Sequence, residues 1–238
     1  MASRTALILA GRGRYADPWH DTAAAADALA VLLRRLGLEV AVRGTAPDAL
    51  DDVAGPSLLV VAAGAGRRDA AFDGDDDAWR AFHDRRAGWV ADGVPVLAMH
   101  QAAMAFADDP RWADELGGRW VEGRSWHPPL GPAVLRVAGR DDAGRRHPVV
   151  AGLERVSVTD ERYTDLELRP GVRPFVVADV VPREAQDRPT SVGAHPVVWI
   201  APGPGRVLYD ALGHDGHSYA SPDHRALLTA AVGWLLAG

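Results

Sequence analysis

Apolar, strand-like runs in this chain stop abruptly at a small residue, and an ionisable side chain follows at once. The clearest case is Gly205-Arg206-Val207-Leu208-Tyr209-Asp210-Ala211-Leu212-Gly213-His214-Asp215. The junction recurs where Val94-Pro95-Val96-Leu97-Ala98 leads into Met99-His100-Gln101-Ala102-Ala103, and at Trp19-His20-Asp21 after the first apolar run. Open α/β sheets place ligand-binding side chains in this way, just outside the carboxyl ends of strands. The pattern predicts that His20, His100 and His214 share one rim.

Alternation of periods sets the fold class. Residues 5–10 read as a buried strand and 22–36 as a helix with Leu29, Leu32, Leu33 and Leu36 on one face and Gly37 as its stop. Strands at 39–43 and 58–62 follow, then a helix over 75–92 whose Trp79, Phe82 and Trp89 recur at helical spacing, with acids at its start and Gly93 at its end. A strand at 94–99 and short helices at 101–107 and 111–116 complete a half that requires parallel pairing and right-handed crossovers. The second half differs. Short apolar runs at 133–137, 156–159, 175–181, 196–200 and 206–210 predict extra strands, some antiparallel, joined by Pro- and Gly-rich loops. An amphipathic helix over 222–236, with Pro222 in its first turn, closes one α/β domain spanning residues 1–238.

Composition narrows the chemistry. The chain has no cysteine, which excludes disulfides, thiolate metal sites and cysteine nucleophiles. All 26 basic residues are arginine, so a lysine Schiff base, a pyridoxal-phosphate anchor and a phosphate-loop lysine are excluded too. A net charge of −6 without a basic tail argues against nucleic acid or an anionic membrane as partner. The arginine doublets, Arg85-Arg86 among them, read as solvated faces. The apolar run at 6–10 is too short for a signal peptide or a membrane span, so a cytoplasmic protein is expected. Gly11-Arg12-Gly13-Arg14 lacks the third glycine of a dinucleotide turn, and Val40-Ala41-Val42 runs into Arg43 where that motif needs an acid.

Taken in order, His147-Pro148-Val149-Val150-Ala151-Gly152-Leu153, Thr159-Asp160-Glu161-Arg162-Tyr163, Pro196-Val197-Val198-Trp199 and the run from Gly205 to His214 resemble the trehalose-utilization (ThuA-like) family, within the class I glutamine amidotransferase-like superfamily. The resemblance implies a flavodoxin-like, doubly wound, mostly parallel sheet with extra strands in the C-terminal half. It places His100 where the amidotransferases carry their cysteine elbow, so glutamine hydrolysis by that route is excluded. It also implies carbohydrate metabolism, with a small-molecule carbohydrate as partner: hydrolysis or isomerisation of oxidised (3-keto) sugars supplied by a partner dehydrogenase. A homo-oligomer is compatible with it. The competing class is a non-catalytic sugar-binding or regulatory module on the same fold.

Glu161 is the candidate general acid or base, because a carboxylate near apolar walls and histidines has its pKa moved toward neutrality. His100 and His214 are its catalytic companions, and Asp160 either shares that work or bonds loop amides. His20, Trp126, His127 and Tyr163 are candidate substrate contacts, Trp126 by stacking on a sugar face. Asp21 either orients the His20 ring or caps the helix that follows. His83 reads as solvated, His147 as structural, and His195, His217 and His224 as loop residues without an assigned role. No histidine pair has zincin spacing. Distant His20, His100, Glu161 and His214 nevertheless offer donors that suit Zn²⁺ or Mn²⁺, which leaves a divalent metal as an alternative to metal-free proton transfer.

Overall fold

The computed structural model describes residues 4–69, 71, 73–140, 144–185, 188 and 191–237. The alternating half forms β1 (Thr5–Ala10), α1 (Thr22–Arg35), β2 (Glu39–Gly44), β3 (Leu58–Ala62), α2 (Asp76–Ala91), β4 (Val96–Met99) and α3 (Arg111–Leu116). β1, β3 and β4 are buried along almost their whole length, which is why they read as continuous apolar runs rather than alternating ones. Side chains start the two long helices where the sequence offers acids: Asp21 accepts from the Ala24 amide at 2.9 Å and Asp75 from the Ala78 amide at 2.8 Å. Asp21 is thus a cap, not a ring orienter.

The second half contains β5 (Gly118–Arg119), β6 (Gly131–Val137), β7 (Arg155–Asp160), β8 (Glu167–Leu168), β9 (Arg173–Val180), α4 (Pro182–Ala185), β10 (Gly193–Ile200), β11 (Val207–Asp210), α5 (Gly216–Ala220) and α6 (Pro222–Leu235). One nine-stranded sheet runs β2-β1-β3-β4-β11-β10-β9-β6-β7. Its first five strands are parallel, the flavodoxin-like doubly wound order, and the last four pair antiparallel. The small pair β5–β8 stands apart.

The antiparallel extension matters because each reversal flips the strand direction. Four successive antiparallel pairings, from β11 through β10, β9 and β6 to β7, return β7 to the direction of β4 and β11. Its carboxyl end, Asp160-Glu161, therefore meets the same rim as His100 and His214. α6 carries that return: Asp223 accepts from the Ser157 amide at 2.8 Å, and the Ser221 hydroxyl donates to the Ser157 carbonyl at 2.6 Å.

Two expectations are corrected. Residues 101–107 are not a helix; a short 3-10 turn covers His100–Ala103, because His100 and Phe106 both take left-handed backbone angles (φ 44° and 53°) that an α-helix cannot accommodate. The polar face of α2 is not solvated at His83 and Arg86. Both are buried, because the segment after β4 lays Asp108, Asp109 and Glu115 against them.

Candidate functional site

Four loops bring the site together. β1 leads to the loop carrying Asp17 and His20, β4 to His100, β7 to Glu161 and Tyr163, and β11 to His214. One ligand atom from each of His20, His100, Glu161 and His214 lies within 4.8 Å of the others. His20, Glu161 and His214 line a cleft of about 740 Å³ whose walls include Trp19, Met104, Trp120, His127 and Tyr163, and His100 is buried behind them.

Backbone geometry fixes the rings. The left-handed φ of His100 costs about 1–3 kcal/mol in a non-glycine residue. Two contacts hold it: Tyr209 Oη donates to the His100 carbonyl at 2.6 Å, and His100 Nδ1 donates to the Ala211 carbonyl at 2.6 Å. A carbonyl only accepts, so Nδ1 carries a proton and, in the neutral ring, Nε2 turns a lone pair to the cleft. Tyr163 Oη lies 2.9 Å from that Nε2, and His20 Nε2 lies 3.0 Å from it. Gly213 is required where the β11 loop crosses behind His100, because its φ is 125° and a Cβ there would lie 2.6 Å from Tyr219 Oη.

Electrostatics then assigns Glu161 a different character from the one its sequence context predicts. Burial raises its carboxyl pKa, but contacts with His100 and His214 and the charge of His127 outweigh burial and hold it well below the usual carboxylate range. It is a fixed anion rather than a group poised near neutrality. Its Oε2 lies 3.3 Å from His214 Nδ1 and 3.5 Å from His100 Nε2. The contact with Glu161 raises the His214 pKa against the opposing effect of burial. Burial pushes the Tyr163 phenol up, so it stays protonated.

Of the remaining candidates, Tyr163 and His127 line the cleft and Trp126 does not. Trp126 instead bridges to Thr164, with the Arg188 guanidinium 5.9 Å from its ring centroid. Asp160 is 1% exposed and accepts from the amides of Glu161, Gly213 and His214 at 2.8, 2.7 and 3.3 Å, so it ties the β7 and β11 loops together. Sequence reading missed Asp17, whose carboxylate contacts His20 Nδ1 at 2.7 and 2.8 Å, and the aromatic walls Trp19 and Trp120. An acid three residues before a loop histidine was the available signal for Asp17. Trp120 carried none, because its place depends on its amide donating to the Ala103 carbonyl at 2.9 Å.

The family model described as trehalose utilisation, ThuA, matches residues 6–235. The chain belongs to the ThuA family. A ThuA-like protein from Parabacteroides merdae ATCC 43184 has a TM-score of 0.75 at 18% identity, with 99% of this chain and 91% of that one covered. A second, from Bacteroides uniformis ATCC 8492, has a TM-score of 0.67 at 17% identity, covering 99% and 93%. A glutamine amidotransferase from Thermotoga maritima shares the fold at a TM-score of 0.57, with 9% identity and full coverage of both chains. No curated protein matches the sequence. The turn after β4 bears His100, and the whole chain lacks the cysteine that glutamine hydrolysis by a thiolate needs. Among the described residues, no helix is long and apolar enough to cross a membrane.

Proposed function

We propose that this protein is a carbohydrate-metabolism enzyme that opens oxidised, 3-keto glycosides by proton transfer. One observation carries the reading: a fixed carboxylate and three imidazoles converge at the floor of an aromatic-walled cleft. Membership of a family described as trehalose utilisation supports a sugar substrate, and the 3-keto form is part of the proposal.

A ketone at C3 makes the C2–H acidic, and C2 adjoins the glycosidic carbon. A base takes that proton, the electron pair moves to the carbonyl oxygen, and collapse of the enolate breaks the C1–O bond. The departing oxygen takes up a proton, and water adding to the resulting enone completes a net hydrolysis. No nucleophilic side chain is required.

His127 suits proton removal. Its Nδ1 donates to the Pro128 carbonyl at 3.0 Å, which leaves Nε2 as the atom that would take the C2 proton. Tyr163, kept protonated by burial, suits donation to oxygen. His214, whose pKa is raised by Glu161 against burial, suits hydrogen bonding to the enolate oxygen as it develops.

Purified protein is incubated in D₂O with a 3-keto disaccharide and, separately, with its unoxidised parent. The expected result is deuterium at C2 and release of the second sugar from the keto substrate alone, with both lost in His127→Gln. Tight binding without exchange or release would instead mark a sugar-binding module.

A further inference from the structure

We infer that His20, His100, His214 and Glu161 form a binding site for one divalent transition-metal ion, Zn²⁺ or Mn²⁺, with Asp17 as the positioning residue for His20. This goes beyond the proposed reaction, which needs only a hydrogen-bond donor to the enolate oxygen at the cleft floor, and it rests on a separate observation.

That observation is a clash of lone pairs. His100 Nδ1 is committed as a donor to the Ala211 carbonyl, and His20 Nδ1 as a donor to the Asp17 carboxylate. In their neutral forms both rings therefore present Nε2 as a bare acceptor, yet these two atoms lie 3.0 Å apart. Two acceptors do not hold that distance unless positive charge sits between or beside them. One shared proton would relieve this pair. It would not draw in His214 Nδ1, which is buried without a hydrogen-bond partner and lies 3.3 Å from Glu161 Oε2.

A metal ion accounts for all four groups at once. Zinc–nitrogen bonds of about 2.0–2.1 Å in a tetrahedral arrangement separate neighbouring ligand atoms by about 3.3–3.4 Å. The separations here are 3.0 Å (His20 to His100), 3.5 Å (His100 to Glu161) and 3.3 Å (His214 to Glu161), with all four donors inside 4.8 Å. These are the edges of one small polyhedron. Three imidazoles with one carboxylate suit zinc and manganese better than Ca²⁺ or Mg²⁺, which favour all-oxygen shells. The outer contacts fit as well, since metal-bound histidines characteristically donate their other ring N–H to a carboxylate or a backbone carbonyl. Asp17 and Ala211 are those partners.

The test uses the whole chain. Metal content is measured as purified, the protein is stripped with EDTA, and Zn²⁺ and Mn²⁺ are titrated back separately by calorimetry and by thermal unfolding. The expected result is one ion per chain and a raised Tm. Asp17→Ala should weaken affinity 10–100-fold, the usual effect of losing an outer partner. His20→Ala and His214→Ala should each lose more, and His217→Ala, on an exposed side chain, should lose nothing. Circular dichroism confirms that each variant is folded, and the wild-type stoichiometry decides even where one is not. Absence of one-to-one binding by wild-type protein at millimolar Zn²⁺ and Mn²⁺ overturns the site, as does wild-type affinity in folded His20→Ala and His214→Ala. C2–H exchange by a chain that binds neither ion removes the metal and leaves the reaction. One bound ion without exchange removes the reaction and leaves the metal.

Discussion

Behind the first loop, Arg14, Tyr15, His83 and Arg86 share Asp73, Asp108 and Asp109; at the cleft floor, His100 and His214 share Glu161 and His20 pairs with Asp17. Both groups are largely buried, and they differ in the source of positive charge. In the first, guanidiniums do the pairing: Arg14 reaches Asp108 at 3.0 Å and Arg86 reaches Asp109 at 2.7 Å, with Glu115 as a second partner of Arg86. Burial raises the Asp108 carboxyl, but His83, Tyr15 and Arg14 together hold it well below the usual range. Arginine keeps its charge at every accessible pH, so this network works as a strut. The cleft sets the carboxylates of Glu161 and Asp17 against imidazole rings whose charge depends on protons or on a metal. A buried cluster becomes chemically useful when its cations are adjustable.

Breaking the strut should produce the largest effect. Arg86→Met removes a fully buried guanidinium and leaves Asp109 and Glu115 facing its place. Loss of one partner of a buried ion pair costs about 3–5 kcal/mol. Denaturant unfolding should show that loss, while C2–H exchange per folded molecule stays near wild type. A variant of normal stability but collapsed exchange would erase the distinction between the two clusters.

Glu161→Gln tests the other side. The substitution keeps size and removes the charge that organises the rings, so turnover should fall about 10²–10³-fold, the range for losing a preorganised electrostatic group. Circular dichroism should show the fold retained. Equal turnover in the variant and wild type would take Glu161 out of the mechanism.

The contrast also explains what could be read from the sequence. His100 and His214 were legible because each follows an apolar run directly, His20 because it lies in the loop after the first such run, and strand ends in an open sheet collect on one rim. Glu161 was legible as a candidate, but its depressed pKa was not, because that depends on which rings face it across four separate loops. Trp126 misled. Adjacency to His127 does not fix side-chain direction in a loop, and the cleft wall is made by Trp19 and Trp120. His83 and Arg86 misled for the opposite reason: their period marked a polar face, and the acids that bury it lie more than twenty residues downstream. Local pattern reports which residues could be outside, and only tertiary pairing decides which are.

A third buried pair sharpens the comparison, because it joins a titratable cation to one carboxylate. His224 Nε2 lies 3.0 Å from Asp210 Oδ2, and neither is exposed. Burial works against the charged imidazole, yet the charge of Asp210 and its hydrogen bond outweigh burial and raise the His224 pKa. A folded-state pKa above the unfolded value of about 6.5 gives stability that is complete below that pH and is lost as pH rises through the folded value. Wild-type unfolding free energy should therefore decline on going up from about pH 6.5, and His224→Gln should flatten that decline. Identical slopes in the two proteins would show that the pair does not change its proton count on unfolding.

The smallest effect concerns the rim, where charge plays no part. Trp19 is 76% exposed and lies beside His20 on the cleft wall. Removing so exposed a ring should cost the fold less than about 0.5 kcal/mol. A sugar seated in the cleft would cover part of that ring, and aromatic contacts contribute about 0.5–1.5 kcal/mol beyond simple burial. Trp19→Ala should thus raise KM for the keto disaccharide about 2–10-fold and leave kcat unchanged, because a rim contact is made equally in the ground and transition states. Steady-state kinetics with matched thermal unfolding separates the cases. A fall in kcat at constant KM would mean that Trp19 holds the Asp17–His20 loop for the cluster, and the rim would then belong to the adjustable group rather than to the substrate's binding surface.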